Sequence, residues 1–223
     1  MILPTIKLTM PIPILDHNLR FPSVQESDEE GLLAMGGDLS VDRLLIAYKN
    51  GIFPWFDGDI PLWWCPDPRF VLDPQELIVS KSMQVLLKKR SFYFTTNKAF
   101  REVINHCKNV KRRDQDGTWI TPEVEKAYIE LHELGFAHSA EVWQDKKLVG
   151  GLYGIKMGKV FFGESMFSLV SNASKYAFIS LVEQLKAEGI QIIDCQIYTA
   201  HLESLGAKMI DREAFIKTIN KLI

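Results

Sequence analysis

The chain has 223 residues, 47% of them hydrophobic and 24% charged, with a formal net charge of -2. These proportions belong to an ordinary folded protein and exclude disordered, collagen-like and disulfide-scaffold classes. The charge is unevenly spread: residues 1–80 carry 5 basic and 12 acidic side chains, residues 81–113 carry 10 and 1, and the remainder 11 and 15. That short basic segment is either a solvated helix face or a local field that draws an RNA or phosphate partner and weakens with salt.

From the N-terminus, Pro4, Pro11 and Pro13 break a stretch that lacks the apolar core and cleavage site of a secretory signal. No apolar run approaches the roughly 20 residues that cross a bilayer, so a cytoplasmic protein is expected. Residues 1–68 read as loop-rich, with one helix capped by Ser40, carrying Leu44, Leu45 and Tyr48 on one face and stopped by Gly51. Ile52 to Phe56 and Leu62 to Trp64 form an aromatic cluster in irregular backbone. It is either a core under a loop or a wall for an aromatic ligand. Pro66-Asp67-Pro68 reads as a linker, which places a domain boundary between residues 68 and 69.

Beyond the linker, helices are expected at 80–89, 97–107 and 122–134, with a strand at 92–94. Strands at 137–144, 147–155 and 160–163 make an antiparallel meander turning at Asp145-Lys146 and at Gly158. A long helix at 172–188 stops at Gly189, a buried strand follows at 191–195, and short helices are expected at 200–205 and 213–222. A meander, a helix and a strand returning to the same sheet is the order of an N-acyltransferase-type α/β domain. The fold class is therefore α+β.

Common catalytic signatures are missing. The chain has no GxxxxGK[ST], no GxGxxG at a strand-to-helix turn, no GxSxG and no HExxH. Cys65, Cys107 and Cys195 have no CxxC spacing, which argues against a disulfide framework and a zinc site. Polarity does appear where it is costly. Glu164 follows the apolar strand Val160-Phe161-Phe162, and Asp194 ends another, with Gln196 on the same face two residues on. A carboxylate beside an amide can orient an amine and a carbonyl, or can simply cap neighbouring N–H groups.

The strings GGDLSVDRLLIAYKNGIFPWF (36–56), LWWCPDPR (62–69), GTWIT (117–121), EVWQDKKLVGGLYG (141–154), FFGESMFS (161–168), NASK (172–175), DCQ (194–196) and HLESLGA (201–207) occur in order along the chain. Together they resemble the leucyl/phenylalanyl-tRNA-protein transferase family, from about residue 20 to residue 210. Departures are small: Cys65 stands where a serine is usual, Val41 where a proline is common, and the first twenty residues match less well.

The resemblance implies a transferase that moves leucine or phenylalanine from charged tRNA to the N-terminal Arg or Lys of a protein and so marks it for degradation. No metal or organic cofactor is expected. The implied fold is a small N-terminal α/β domain, residues 1–68, packed on a domain at 69–223 similar to N-acetyltransferases. Carried over by motif, Asp194 and Gln196 are the catalytic pair and Glu164 binds the cationic acceptor. Leu152, Phe161, Phe178, Leu181, Leu185 and Ile193 are the expected aminoacyl pocket, a set that pattern alone reads as core. Trp55, Trp119 and Tyr128, assisted by Tyr48, are expected at the terminal adenosine, and Lys88, Lys89 and Arg90 at the tRNA backbone. A monomer is expected. The rival readings are an acyl-CoA-dependent N-acyltransferase, disfavoured because residues 164–171 lack glycine for a pyrophosphate loop, and a non-enzymatic tRNA-binding module.

Overall fold

The structure, a computed structural model, describes residues 11–110 and 119–223. The first ten residues, and Lys111, Arg112 and Arg113 of the basic segment, lie outside the described residues.

The N-terminal stretch is more regular than the sequence suggests. Strands β1 (Ile14–Leu15), β2 (Leu32–Gly36), β3 (Phe53–Pro54) and β4 (Leu62–Trp64) form a sheet in the order β1-β2-β4-β3. Strands of two to five residues interrupted by proline show no alternation over a window long enough to be read. Their cross-strand partners define them: Phe53 lies opposite Trp64, and Pro54 opposite Trp63. Helix α1 (Val41–Lys49) begins where expected, its Ser40 hydroxyl accepting from the Arg43 N–H. It ends before Gly51, whose φ of +72° suits glycine and whose added Cβ would lie 2.5 Å from Ile216 Cδ1.

The remaining elements build a seven-stranded sheet in the order β11-β5-β10-β9-β8-β7-β6. In chain order they are β5 (Arg69–Leu72), α2 (Lys81–Lys88), β6 (Tyr93–Thr96), α3 (Phe100–Asn109), α4 (Pro122–Glu133), β7 (Ala137–Gln144), β8 (Lys147–Met157) and β9 (Val160–Ser168). The chain closes with α5 (Ala173–Ala187), β10 (Ile192–Gln196), α6 (Ala200–Glu203), β11 (Lys208–Ile210) and α7 (Arg212–Leu222). The α+β class and the meander stand as expected. The β7–β8 turn has Asp145 and Lys146 at φ of +50° and +62°, the backbone of a primed two-residue hairpin.

Two expectations need correction. Helix α3 starts three residues late because Asn97 is left-handed and the buried Glu141 carboxylate accepts from the Lys98 and Ala99 N–H groups at its start. Strand β9 does not stop at Gly163 but runs to Ser168, so Glu164 sits inside a strand rather than after one. Strands β5 and β11 have no counterpart in the sequence reading; β5 is three apolar residues opened by a buried arginine, too short to show a period.

Side chains alternate between two cores on either face of the sheet. Tyr153, Phe162 and Ile192 face a core shared with α3, α4, α7 and the small sheet, whereas Leu152, Phe161 and Ile193 face α5 and α2. Close packing of the meander excludes side chains at Gly154, where an added Cβ would lie 2.3 Å from the Phe162 carbonyl oxygen. Among the described residues no helix is long and apolar enough to cross a membrane.

Candidate active site

Helix α5 carries the chain from β9 to the parallel neighbour β10, and the two strands pair only over Val160–Phe162 and Ile192–Asp194. Beyond Phe162 and Asp194 they part: β9 continues beside β8, while β10 follows β5 through a register shift between Asp194 and Gln196. A crevice at the carboxyl ends of diverging parallel strands is where open sheets hold ligands. Here it is a cavity of about 350 Å³ lined on one side by Gly163, Glu164, Ser165 and Met166 of β9 and on the other by Ile193, Asp194, Cys195 and Gln196 of β10. Leu152, Tyr153, Phe178, Ser174 and Trp119 complete much of its wall, with Thr199, His201 and Leu202 from the segment around α6.

Glu164 shares the sheet face of Phe162 and meets two tyrosines from different elements. The Tyr48 hydroxyl of α1 donates to Oε1 at 2.7 Å, the Tyr128 hydroxyl of α4 donates to Oε2 at 3.1 Å, and the two hydroxyls also touch each other. Two hydroxyl protons cannot serve three contacts. A proton on the carboxyl closes a ring of three contacts among Glu164, Tyr48 and Tyr128, in place of the two donations that an ionised carboxylate accepts. Burial pushes the Glu164 carboxyl up to about 8; the tyrosine hydroxyls and Arg69 oppose that rise, and Asp194 adds to it. Burial first, and then the Glu164 charge, also raise both tyrosines well above their usual range.

Asp194 is fully buried and paired with Arg69 of β5, whose Nε donates to Oδ1 at 2.8 Å and Nη2 to Oδ2 at 2.7 Å. Burial alone would lower the Arg69 guanidinium, but the charge and hydrogen bonds of Asp194 more than offset this and raise it. Gln196, 6% exposed, has a left-handed backbone at φ of +58° and lines the cavity. Burial pushes the Cys195 thiol up strongly, which makes it a poor nucleophile. His201 is lowered by burial and by Lys175, and its Nε2 is buried with no hydrogen-bond partner among the described residues.

The residues singled out from the sequence therefore separate. Asp194, Gln196, Glu164, Leu152, Phe178, Ile193 and Trp119 line one cavity. Phe161, Leu181 and Leu185 do not line it; they are buried in the core on the α5 face. Tyr48 and Tyr128 lie behind Glu164, and Trp119 meets the Tyr128 ring edge-on at 6.4 Å. Trp55 is buried 5.8 Å from the Trp64 ring and is not part of the cavity wall. Lys88, Lys89 and Arg90 are exposed at and just beyond the end of α2. Sequence reasoning missed Arg69 and His201. An arginine opening an apolar strand signals a buried charge that requires a partner, whereas nothing in its own string marks His201. Among the described residues no group of three or more His, Cys, Asp or Glu could hold a metal ion.

The family model for leucyl/phenylalanyl-tRNA protein transferase matches residues 71–220, and the model for the N-terminal domain of that transferase matches residues 37–67. A leucyl/phenylalanyl-tRNA–protein transferase of Flavobacterium johnsoniae is 59% identical over 206 residues, covering 92% of this chain and 97% of that one. One of Flavobacterium psychrophilum is 56% identical over 208 residues, covering 93% and 99%. Among solved structures, a GCN5-related N-acetyltransferase from Kribbella flavida aligns with a TM-score of 0.37 at 11% identity, over 74% of this chain and 58% of that chain.

Proposed function

The chain belongs to the leucyl/phenylalanyl-tRNA protein transferase family, and we propose that the crevice between β9 and β10 is where it joins leucine or phenylalanine from tRNA to the N-terminal Arg or Lys of an acceptor protein. It is an aminoacyltransferase. The observation that carries the site assignment is the cavity itself, with an apolar wall of Leu152, Phe178 and Ile193 beside Glu164, Asp194 and Gln196. An activated ester already supplies the driving force, so the protein's work is to hold an amine against a carbonyl.

In this reading the apolar wall receives the leucyl or phenylalanyl side chain, and a pocket of this kind separates side chains differing by a methylene by about 1–3 kcal/mol. Trp119, on the cavity wall, faces the terminal adenosine. Tyr48 and Tyr128, through their hydroxyls, set the state of Glu164. With its carboxyl pushed up to about 8 by burial, Glu164 is largely neutral near pH 7, and an arriving guanidinium or ammonium draws it into its ionised form. Acceptor charge is thereby read at the point of transfer. Asp194 and Gln196 are the catalytic pair, and the exposed Lys88, Lys89 and Arg90 meet the tRNA backbone. The division at residue 68 is supported by the position of the boundary between the two sheets. A monomeric cytoplasmic enzyme whose products are destined for degradation completes the proposal.

The test follows radiolabel from Leu-tRNA into peptides beginning with Arg, Lys or Ala, without added cofactor. Label in the Arg and Lys peptides alone is expected. Equal label in the Ala peptide would refute the acceptor assignment, and acylation only on addition of acetyl-CoA would refute the donor.

A further inference from the structure

The bond pattern around Asp194 restricts what that residue can do. Arg69 donates to both carboxylate oxygens, and the backbone N–H of Gln196 donates to Oδ1 at 3.0 Å. The group is also fully buried, so a carboxylate so engaged is poorly placed to accept a proton from an incoming amine. The guanidinium that engages it is itself clamped. Its carbon lies 4.8 Å from the Phe53 ring centroid of β3 and 4.7 Å from that of Phe215 of α7, so the small sheet and the C-terminal helix fix the plane of the fork.

On the other side of the pair stands Gln196, in a left-handed backbone that non-glycine residues rarely adopt, at the register shift where β10 leaves its neighbour. Its N–H is held by Asp194, while its side-chain amide makes no hydrogen bond to the described residues and lines the cavity. The chain of support runs from two aromatic rings to Arg69, from Arg69 to Asp194, and from Asp194 to the backbone of a residue that lines the cavity.

We propose that Arg69 is a positioning residue of the transfer reaction: by engaging both oxygens of Asp194 it makes that carboxylate a strut that aims the Gln196 amide, rather than a group that accepts the amine proton. This rests on the reading of the cavity as the transfer site. Arg69→Lys keeps the charge but loses the planar fork, and Arg69→Ala loses both. Each variant is expected to lower kcat by about 100-fold, the penalty of a misplaced group at a reacting centre, with KM for Leu-tRNA and for an Arg-initiated peptide close to wild type. Guanidinium ion at millimolar concentration should restore part of kcat in Arg69→Ala, and sodium chloride at equal ionic strength should not.

A folded Arg69→Lys enzyme with near wild-type kcat would overturn the proposal, as would a loss confined to KM or the absence of guanidinium rescue in a folded Arg69→Ala. If Arg69→Ala does not fold, Phe215→Leu loosens the clamp without touching the pair. A fall in its kcat at unchanged KM supports the strut, and an unchanged kcat with a lowered melting temperature overturns it. Failure of the wild-type protein to label any peptide would instead remove the transfer reading, so the two failures are told apart by the wild-type control.

Discussion

Replacing Glu164 with glutamine removes a titration that the fold holds far from its ordinary range, and the consequence for stability can be worked out before any substrate is added. In the unfolded chain the carboxyl titrates near 4.5, and in the folded cavity near about 8. The folded state therefore binds its proton more tightly than the unfolded state. The associated stability is fully present below pH 4.5 and is lost as pH rises toward 8 and through it. At roughly 1.4 kcal/mol per pKa unit, the whole window is worth no more than about 5 kcal/mol, and the part between pH 4.5 and pH 7 about 3 kcal/mol. The groups that face the carboxyl are Tyr48 of α1, Tyr128 of α4, Asp194 of β10 and Arg69 of β5, and none of the others has its titration removed by the change. Urea unfolding of wild type and Glu164→Gln at pH 5, 6, 7, 8 and 9 reads the difference directly. Wild type should lose stability relative to the variant with each step up to pH 8 and then level off. A difference that stays flat across the series would show that the carboxyl is ionised throughout, and the closed ring of three hydrogen bonds would then be wrong. The same variant should show a raised KM for an Arg-initiated peptide, most clearly above pH 8, where wild-type Glu164 is ionised.

Leu152→Ala widens the apolar wall and should shift the Leu-to-Phe preference in kcat/KM by about 10-fold, within the range for a methylene-scale change, measured with the two charged tRNAs in competition. Joint replacement of Lys88, Lys89 and Arg90 by alanine should weaken tRNA binding and reduce the salt slope of log K by about 2 to 3, read from filter binding at several salt concentrations; an unchanged slope would remove these residues from the tRNA path. Gly154→Ala places a methyl 2.3 Å from the Phe162 carbonyl oxygen, and a shift in the urea midpoint equivalent to about 1–3 kcal/mol is expected.

Much of the larger sheet was legible because its elements are long enough to show a period. The β7–β8–β9 meander and helix α5 carry alternating or helical spacing over eight residues or more, and Thr121 with Pro122 marks the start of the neighbouring helix α4. The small sheet was not legible, since pairings such as Phe53 with Trp64 belong to two distant segments and leave no mark within either. The extension of β9 through Glu164 was hidden for a related reason. A glycine and a glutamate after an apolar run read as a strand end, and only pairing with β8 as far as Ser168 shows that the strand goes on.

The candidate site divides along the same lines. Glu164, Asp194 and Gln196 stood out because polar groups in apolar strands need an explanation, but the sequence carries no sign of which partners they find. Arg69 lies 125 positions from Asp194, and Tyr48 lies 116 from Glu164. Those partners decide the chemistry. Two carboxyl groups on neighbouring strands would look equivalent by pattern, yet Asp194 is matched by a guanidinium fork, whereas Glu164 meets only neutral hydroxyls directly and burial pushes it up to about 8. The divergence of β10 from β9 then sets both groups against one cavity whose remaining wall comes from both faces of the sheet and from the segment around α6. On the proposed reading an apolar acyl side chain and a cationic amine meet there because the gap between the strands opens to both faces at once, and helix α5, by delivering β10 parallel to β9, is the element that creates that gap.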